Sequence, residues 1–90
     1  MKPPFENVNV LGMPLDRWTV RSCTADIATG AKWATVYYIE SKEEGKGDAT
    51  KLLEVTKKYY EEEGLQFGCT TALHPAIDHI CKKLNIPVYN

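Results

Sequence analysis

Residues 38 to 53 (YIESKEEGKGDATKLL) run from an apolar, β-branched stretch through a glycine-bearing loop into a helical pattern. That layout suits an anion. A helix start leaves backbone N–H groups without intrahelical partners and carries the positive end of the helix dipole, and both favour a phosphate. Gly45 and Gly47 let the backbone approach such a group without a Cβ in the way, and Ala49 keeps the next turn small. The side chains of the loop nearly cancel, with Lys42, Lys46 and Lys51 set against Glu43, Glu44 and Asp48. Backbone donors must therefore supply most of the attraction, since each exposed charged contact is worth about 1 kcal/mol or less. Lys46 is the most useful cation.

Other chemistry-bearing residues are sparse. Cys23, Cys69 and Cys81 are odd in number and lack CxxC spacing, and the histidines are His74 and His79 alone. This argues against a disulfide framework or a structural zinc site, so no metal is expected, and it fits a reducing, cytoplasmic setting. The net charge of -1 lacks the basic excess of a non-specific nucleic-acid or membrane-surface binder. No run of 18 apolar residues exists, and Met1-Lys2-Pro3-Pro4 does not begin a signal peptide. The 90 residues suit one domain, 1–90, with one hydrophobic core.

The elements that must position the loop follow from residue pattern. Asn7 to about Met13 reads as a short strand ended by Pro14, and Arg17 to about Ile27 as a second, rich in aromatic and β-branched residues. Ala28-Thr29-Gly30 is a turn, and Trp33 to Ile39 a strong third strand, so these two strands form a hairpin. From about Gly47 to Glu63 the period becomes helical, with Leu52, Leu53, Val55, Tyr59 and Tyr60 on one stripe. Gly64 sits where a helix C-cap belongs. Leu65 to about Thr71 is a strand. His74-Pro75 opens a second helix whose apolar face is Ile77, Ile80, Cys81 and Leu84, and Ile86 to Tyr89 is a closing strand. The expected order is β-β-β-α-β-α-β, an α+β (α/β layered) domain with both helices packed on one mixed sheet. Trp18 and Trp33 are expected to be neighbours covering the core, and His79 to be solvated.

In this register the chain resembles the GNAT superfamily of acyl-CoA N-acyltransferases. Ile39-Glu40-Ser41-Lys42-Glu43-Glu44-Gly45-Lys46-Gly47-Asp48-Ala49, then Leu52-Leu53, is similar to the family's pattern Val-x-Pro-x-x-(Arg/Gln)-x-x-Gly-x-(Gly/Ala) followed by Leu-Leu. His74 to Ile86 is similar to the family helix Asn-x-x-Ala-x-x-Leu-Tyr-x-Lys-Leu-Gly-Phe. The resemblance covers about residues 17 to 89, without the two N-terminal helices that usually wall the acceptor site. Glu44 stands where the family has Arg or Gln, Ser41 where it has Pro, His74 where it has Asn, and Cys81 where a tyrosine often protonates the departing thiolate.

The resemblance implies acetyl-CoA as acyl donor and a primary amine, on a protein lysine or a small molecule, as acceptor. The pantetheine arm would pair with the backbone of Tyr37, Tyr38 and Ile39 like an added strand, and the pyrophosphate would rest on amides from Gly45 through Lys46, Gly47, Asp48 and Ala49 to Thr50. His74 would contact the cofactor or cap its own helix. A backbone N–H near Ile39 would polarise the thioester carbonyl, and Glu40 would act as base. Cys81 has two readings, the acid that protonates CoA or a small core residue. An open acceptor site suits a macromolecular lysine or completion by a second subunit, a homodimer. The alternative is a GNAT-fold binding module without turnover.

Overall fold

The structure, a computed structural model, describes residues 5–42, 47–70 and 75–89. Six strands and two helices follow in the order β1 (Phe5–Val10), β2 (Met13–Val20), β3 (Cys23–Thr29), β4 (Trp33–Ser41), α1 (Asp48–Glu62), β5 (Gln66–Thr70), α2 (Pro75–Lys83) and β6 (Val88–Tyr89). This is an α+β domain on a mixed sheet. The strands lie side by side in chain order: β1 to β4 are an antiparallel meander, and β5 and β6 add on in parallel.

One more strand is present than the sequence pattern suggests. The run from Arg17 to Ile27 is not one strand: it folds back on itself at Arg21-Ser22, where Val20 faces Cys23 and Arg21 takes a left-handed φ of 53°. A two-residue loop needs such a conformation, and arginine supplies it without the glycine or asparagine that would have marked the turn. The preceding hairpin turns at Leu11-Gly12, both at positive φ, so Pro14 lies inside β2 opposite Asn9 instead of ending a strand.

The face of the sheet that carries Trp18, Cys23, Ala25, Ile27, Ala34, Val36, Phe67 and Cys69 packs against Leu52, Leu53 and Tyr60 of α1 and Cys81 of α2 in one core. Trp18 and Trp33 part company. Trp18 is 2% exposed in that core, whereas Trp33 is 47% exposed, pairs with Gln66 on the helix-free face, and lays its ring against Gly30. The helix-free face also holds the Arg17–Asp26 pair, with Nε and Nη2 of the guanidinium donating to the two carboxylate oxygens at 2.8 and 3.1 Å.

Both helices end in left-handed residues. Gly64 closes α1, with Gly64 N–H donating to the Glu61 carbonyl and Leu65 N–H to that of Tyr60. Asn85 closes α2 in the same way, with Ile86 N–H donating to Cys81 at 2.7 Å. Each arrangement satisfies carbonyls that a helix end would otherwise leave without partners.

Candidate functional site

The site begins at a defect in β4. Asp26 pairs with Tyr38 while Ile27 pairs with Val36, so Tyr37 is an extra residue with no partner on β3. A bulge of this kind bends its strand and reverses which residues face inward. Ala34 and Val36 face the core before it, and Ile39 and Ser41 take that face after it, opposite Ala25 and Cys23. Tyr38 and Glu40 consequently share the helix-free face, both exposed, with the Tyr38 hydroxyl 3.5 Å from Glu40 Oε2. Tyr37 is 48% exposed.

At the same place β4 and β5 separate. Their parallel ladder runs from Trp33↔Gln66 to Val36↔Cys69, while β4 continues to Ser41 along β3 alone. The Val36 carbonyl at this last step accepts from the Thr70 hydroxyl at 3.1 Å. Among the described residues, Tyr37, Tyr38 and Ile39 have no ladder partner on the β5 side. A strand edge of this sort presents backbone donors and acceptors to whatever extended group can lie along it.

The start of α1 follows β4 in the chain. Gly47 holds the N-cap position at φ 78°, ψ 7°, with no side-chain cap on the helix. The first hydrogen bond of the helix, Lys51 N–H to the Gly47 carbonyl, is 3.0 Å long. The amides of Asp48, Ala49 and Thr50 precede it and have no intrahelical acceptor. Open space surrounds the position a Gly47 Cβ would take.

Asp48 adds something the sequence does not announce. Its carboxylate is buried and turned to the β2–β3 hairpin, where Oδ2 accepts from the Ser22 hydroxyl at 2.6 Å and from Ser22 N–H at 3.4 Å. Arg21 Nη1 lies 3.9 Å from Oδ1. Asp48 therefore ties the helix start to the turn at Arg21-Ser22, and its negative charge offsets part of the dipole at that end.

Of the residues picked from sequence, Tyr37, Tyr38, Ile39 and Glu40 lie together on β4, and Gly47, Asp48, Ala49 and Thr50 together at the helix start. Gly45, Lys46 and His74 lie outside the described residues. Cys81 is far from open: it is fully buried, its Sγ 3.2 Å from that of Cys69. Within this pair the Cys69 thiol is pushed well up by the hydrogen bond to Cys81 and by burial. The same hydrogen bond draws Cys81 down. Cys23, also buried, is pushed up to about 11 by burial and by the nearby Asp48 charge. His79 is exposed, as expected. A shallow depression of about 400 Å³ on the outer side of α1 is bordered by Lys57, Lys58, Glu61 and Leu84 and shares no residue with the β4 edge.

Chemically, the described residues offer a backbone edge, a helix start with donors, and an exposed carboxylate beside a phenol. They include no cluster of three or more His, Cys, Asp or Glu side chains able to hold a metal ion. No described helix is long and apolar enough to cross a membrane. Comparison of the chain with protein-family models, with curated proteins and with solved structures finds no match to any of the three.

Proposed function

We propose that the protein is a minimal N-acetyltransferase of GNAT type, moving an acetyl group from acetyl-CoA to a primary amine of a protein or small molecule. One observation carries this reading: β4 bulges at Tyr37 and leaves β5 after Val36↔Cys69, and the strand so exposed leads through the glycine loop to the start of α1. A thioester on an extended arm needs a strand edge to lie along, and a pyrophosphate needs clustered N–H donors; both are adjacent here.

In this reading the pantetheine arm pairs with Tyr37, Tyr38 and Ile39, and the pyrophosphate sits on the amides of Asp48, Ala49 and Thr50. An N–H of the β4 edge near Ile39 polarises the thioester carbonyl. Glu40 takes a proton from the incoming ammonium, directly or through water, so that the neutral amine attacks the carbonyl carbon. The tetrahedral adduct then collapses, the C–S bond breaks, and the thiolate takes its proton from solvent. Cys81 has no part in that last step, since a thiol with no exposed surface does not reach a bulky thiolate held along the β4 edge. The acceptor is a macromolecular lysine or an amine held with the help of a second subunit, in the cytoplasm where acetyl-CoA is available.

The burial of Cys81 also favours a second reading, a GNAT-fold binding module without turnover. Calorimetric titration with acetyl-CoA and with CoA, followed by thiol release in the presence of lysine peptides, separates the two. Micromolar binding with thiol release supports the enzyme, and binding without release supports the module. No heat with millimolar ligand removes both.

A further inference from the structure

We propose that Cys69 and Cys81 form a redox pair that closes to a disulfide when the protein meets a peroxide, fastening α2 to β5. The inference is independent of the acetyl-transfer reading. Their sulfurs are 3.2 Å apart on two different elements, and both side chains are buried at 1% and 0% exposure. A disulfide needs about 2.05 Å, so the remaining approach is about 1 Å. The chain can supply it, because α2 is only nine residues long and its Ile77 and Ile80, with Leu84 just after it, are merely half-buried. Cys23 stands apart at the start of β3, opposite Ser41, whereas Cys69 is opposite Val36.

The chemistry divides between the two sulfurs. Cys81, drawn down by its hydrogen bond from Cys69 at 3.2 Å, attacks the peroxide as its thiolate. An S–O bond forms, the O–O bond breaks, and an alcohol or water leaves with the transferred proton. The Cys69 sulfur then attacks the sulfenic sulfur of Cys81; the S–S bond forms, the S–O bond breaks, and water departs with the proton of Cys69. The thiols lose two hydrogens and two electrons in total, and the peroxide is reduced. Burial restricts the oxidant to a small neutral molecule. The link would close at the last paired step of β4 and β5, and so fix α2 beside the point where the strands part.

The test treats the full chain with hydrogen peroxide, alkylates it with N-ethylmaleimide in denaturant without reductant, and digests it with trypsin. Cys69 and Cys81 fall in one tryptic segment, Tyr59 to Lys82, and Cys23 in another. The expected result is that this segment lacks two hydrogens and carries no maleimide, while Cys23 is alkylated. The oxidised protein should melt higher by roughly 10 °C, as expected for closing a short loop in a small domain. Cys69→Ser and Cys81→Ser should each abolish the shift, and Cys23→Ser should keep it. Mapping of the wild-type segment decides the pairing even where a serine variant fails to fold. Maleimide on both Cys69 and Cys81 after peroxide, a link involving Cys23, or a link between chains would overturn the proposal.

Discussion

The indole N–H of Trp18 donates to the hydroxyl of Tyr60 at 2.9 Å, a contact spanning 42 residues of chain, and Tyr60 passes its own hydrogen to Asp16 Oδ2 at 2.8 Å. The other oxygen of Asp16 accepts from the Asn7 side-chain amide at 2.9 Å. Trp18 and Tyr60 are each 2% exposed, so among the described residues this hydroxyl is what satisfies a buried indole N–H. Tyr60→Phe keeps the ring packing against Trp18 and Phe67 but leaves that N–H and the Asp16 oxygen without a partner. An unmet buried donor costs about 1–3 kcal/mol. Urea unfolding of the variant should show a loss of that size with an unchanged m-value.

The same hydroxyl predicts how stability responds to alkali. Burial first of all pushes Tyr60 above its ordinary value of 10.0, and Cys23 rises from 9.0 to about 11. Both groups are neutral when protonated, and the unfolded chain releases these protons at lower pH than the folded one. Their contribution is therefore fully present below about pH 9 and falls as pH rises through the cysteine and then the tyrosine range. The urea midpoint should be level from pH 7 to 8.5, roughly, and decline above it. Cys23→Ala should lessen the earlier part of that decline, to which the raised Cys69 thiol also contributes.

Asp48 should act on stability and ligand affinity with opposite signs. Its buried carboxylate anchors α1 to Ser22, so Asp48→Asn weakens a charge-assisted hydrogen bond and costs about 1–3 kcal/mol. The same change removes a buried negative charge close to the helix start on which the pyrophosphate would sit. Acetyl-CoA affinity should rise a few-fold while the melting temperature falls, which paired calorimetry and thermal melts would measure.

Gly47 separates a backbone requirement from a charge requirement. At φ 78° a β-carbon is strained but meets no atom. Gly47→Asn is expected to fold and bind, since asparagine tolerates the left-handed region. Gly47→Glu places a carboxylate at the helix start and should weaken acetyl-CoA by tenfold or more, on the order of 1.4 kcal/mol. Equal affinity in both variants would mean that the helix start binds no phosphate.

Glu40→Gln keeps the shape of the exposed carboxylate on β4 and removes its basicity. Thiol release with a lysine peptide should fall by about a hundredfold at pH 7, the usual worth of a positioned base, with acetyl-CoA binding unchanged. Raising the pH should restore much of the rate, because the acceptor amine then deprotonates without help.

The helices were legible in the sequence because their signals are local. The stripe of Leu52, Leu53 and Tyr60 is buried as its spacing requires, and Gly64 caps α1 where a glycine was expected. The turn at Arg21-Ser22 was not legible, since it lacks the glycine, asparagine or aspartate that signals a two-residue hairpin loop and the strand-like run continues on both sides. The Tyr37 bulge is a matter of register between β3 and β4, which no single strand carries. The Asp48–Ser22 clamp and the Cys69–Cys81 contact likewise join residues 26 and 12 positions apart in different elements. Cys81 could be read from sequence as acid or as core residue, and only its packing distinguishes the two.

The most direct measurement is an amide NMR titration of the labelled protein with acetyl-CoA. Binding along the β4 edge and at the start of α1 predicts shifts concentrated at Tyr37, Tyr38 and Ile39 and at Asp48, Ala49 and Thr50, with β1 unmoved. Shifts confined to the charged outer face of α1, or none at millimolar ligand, would contradict it.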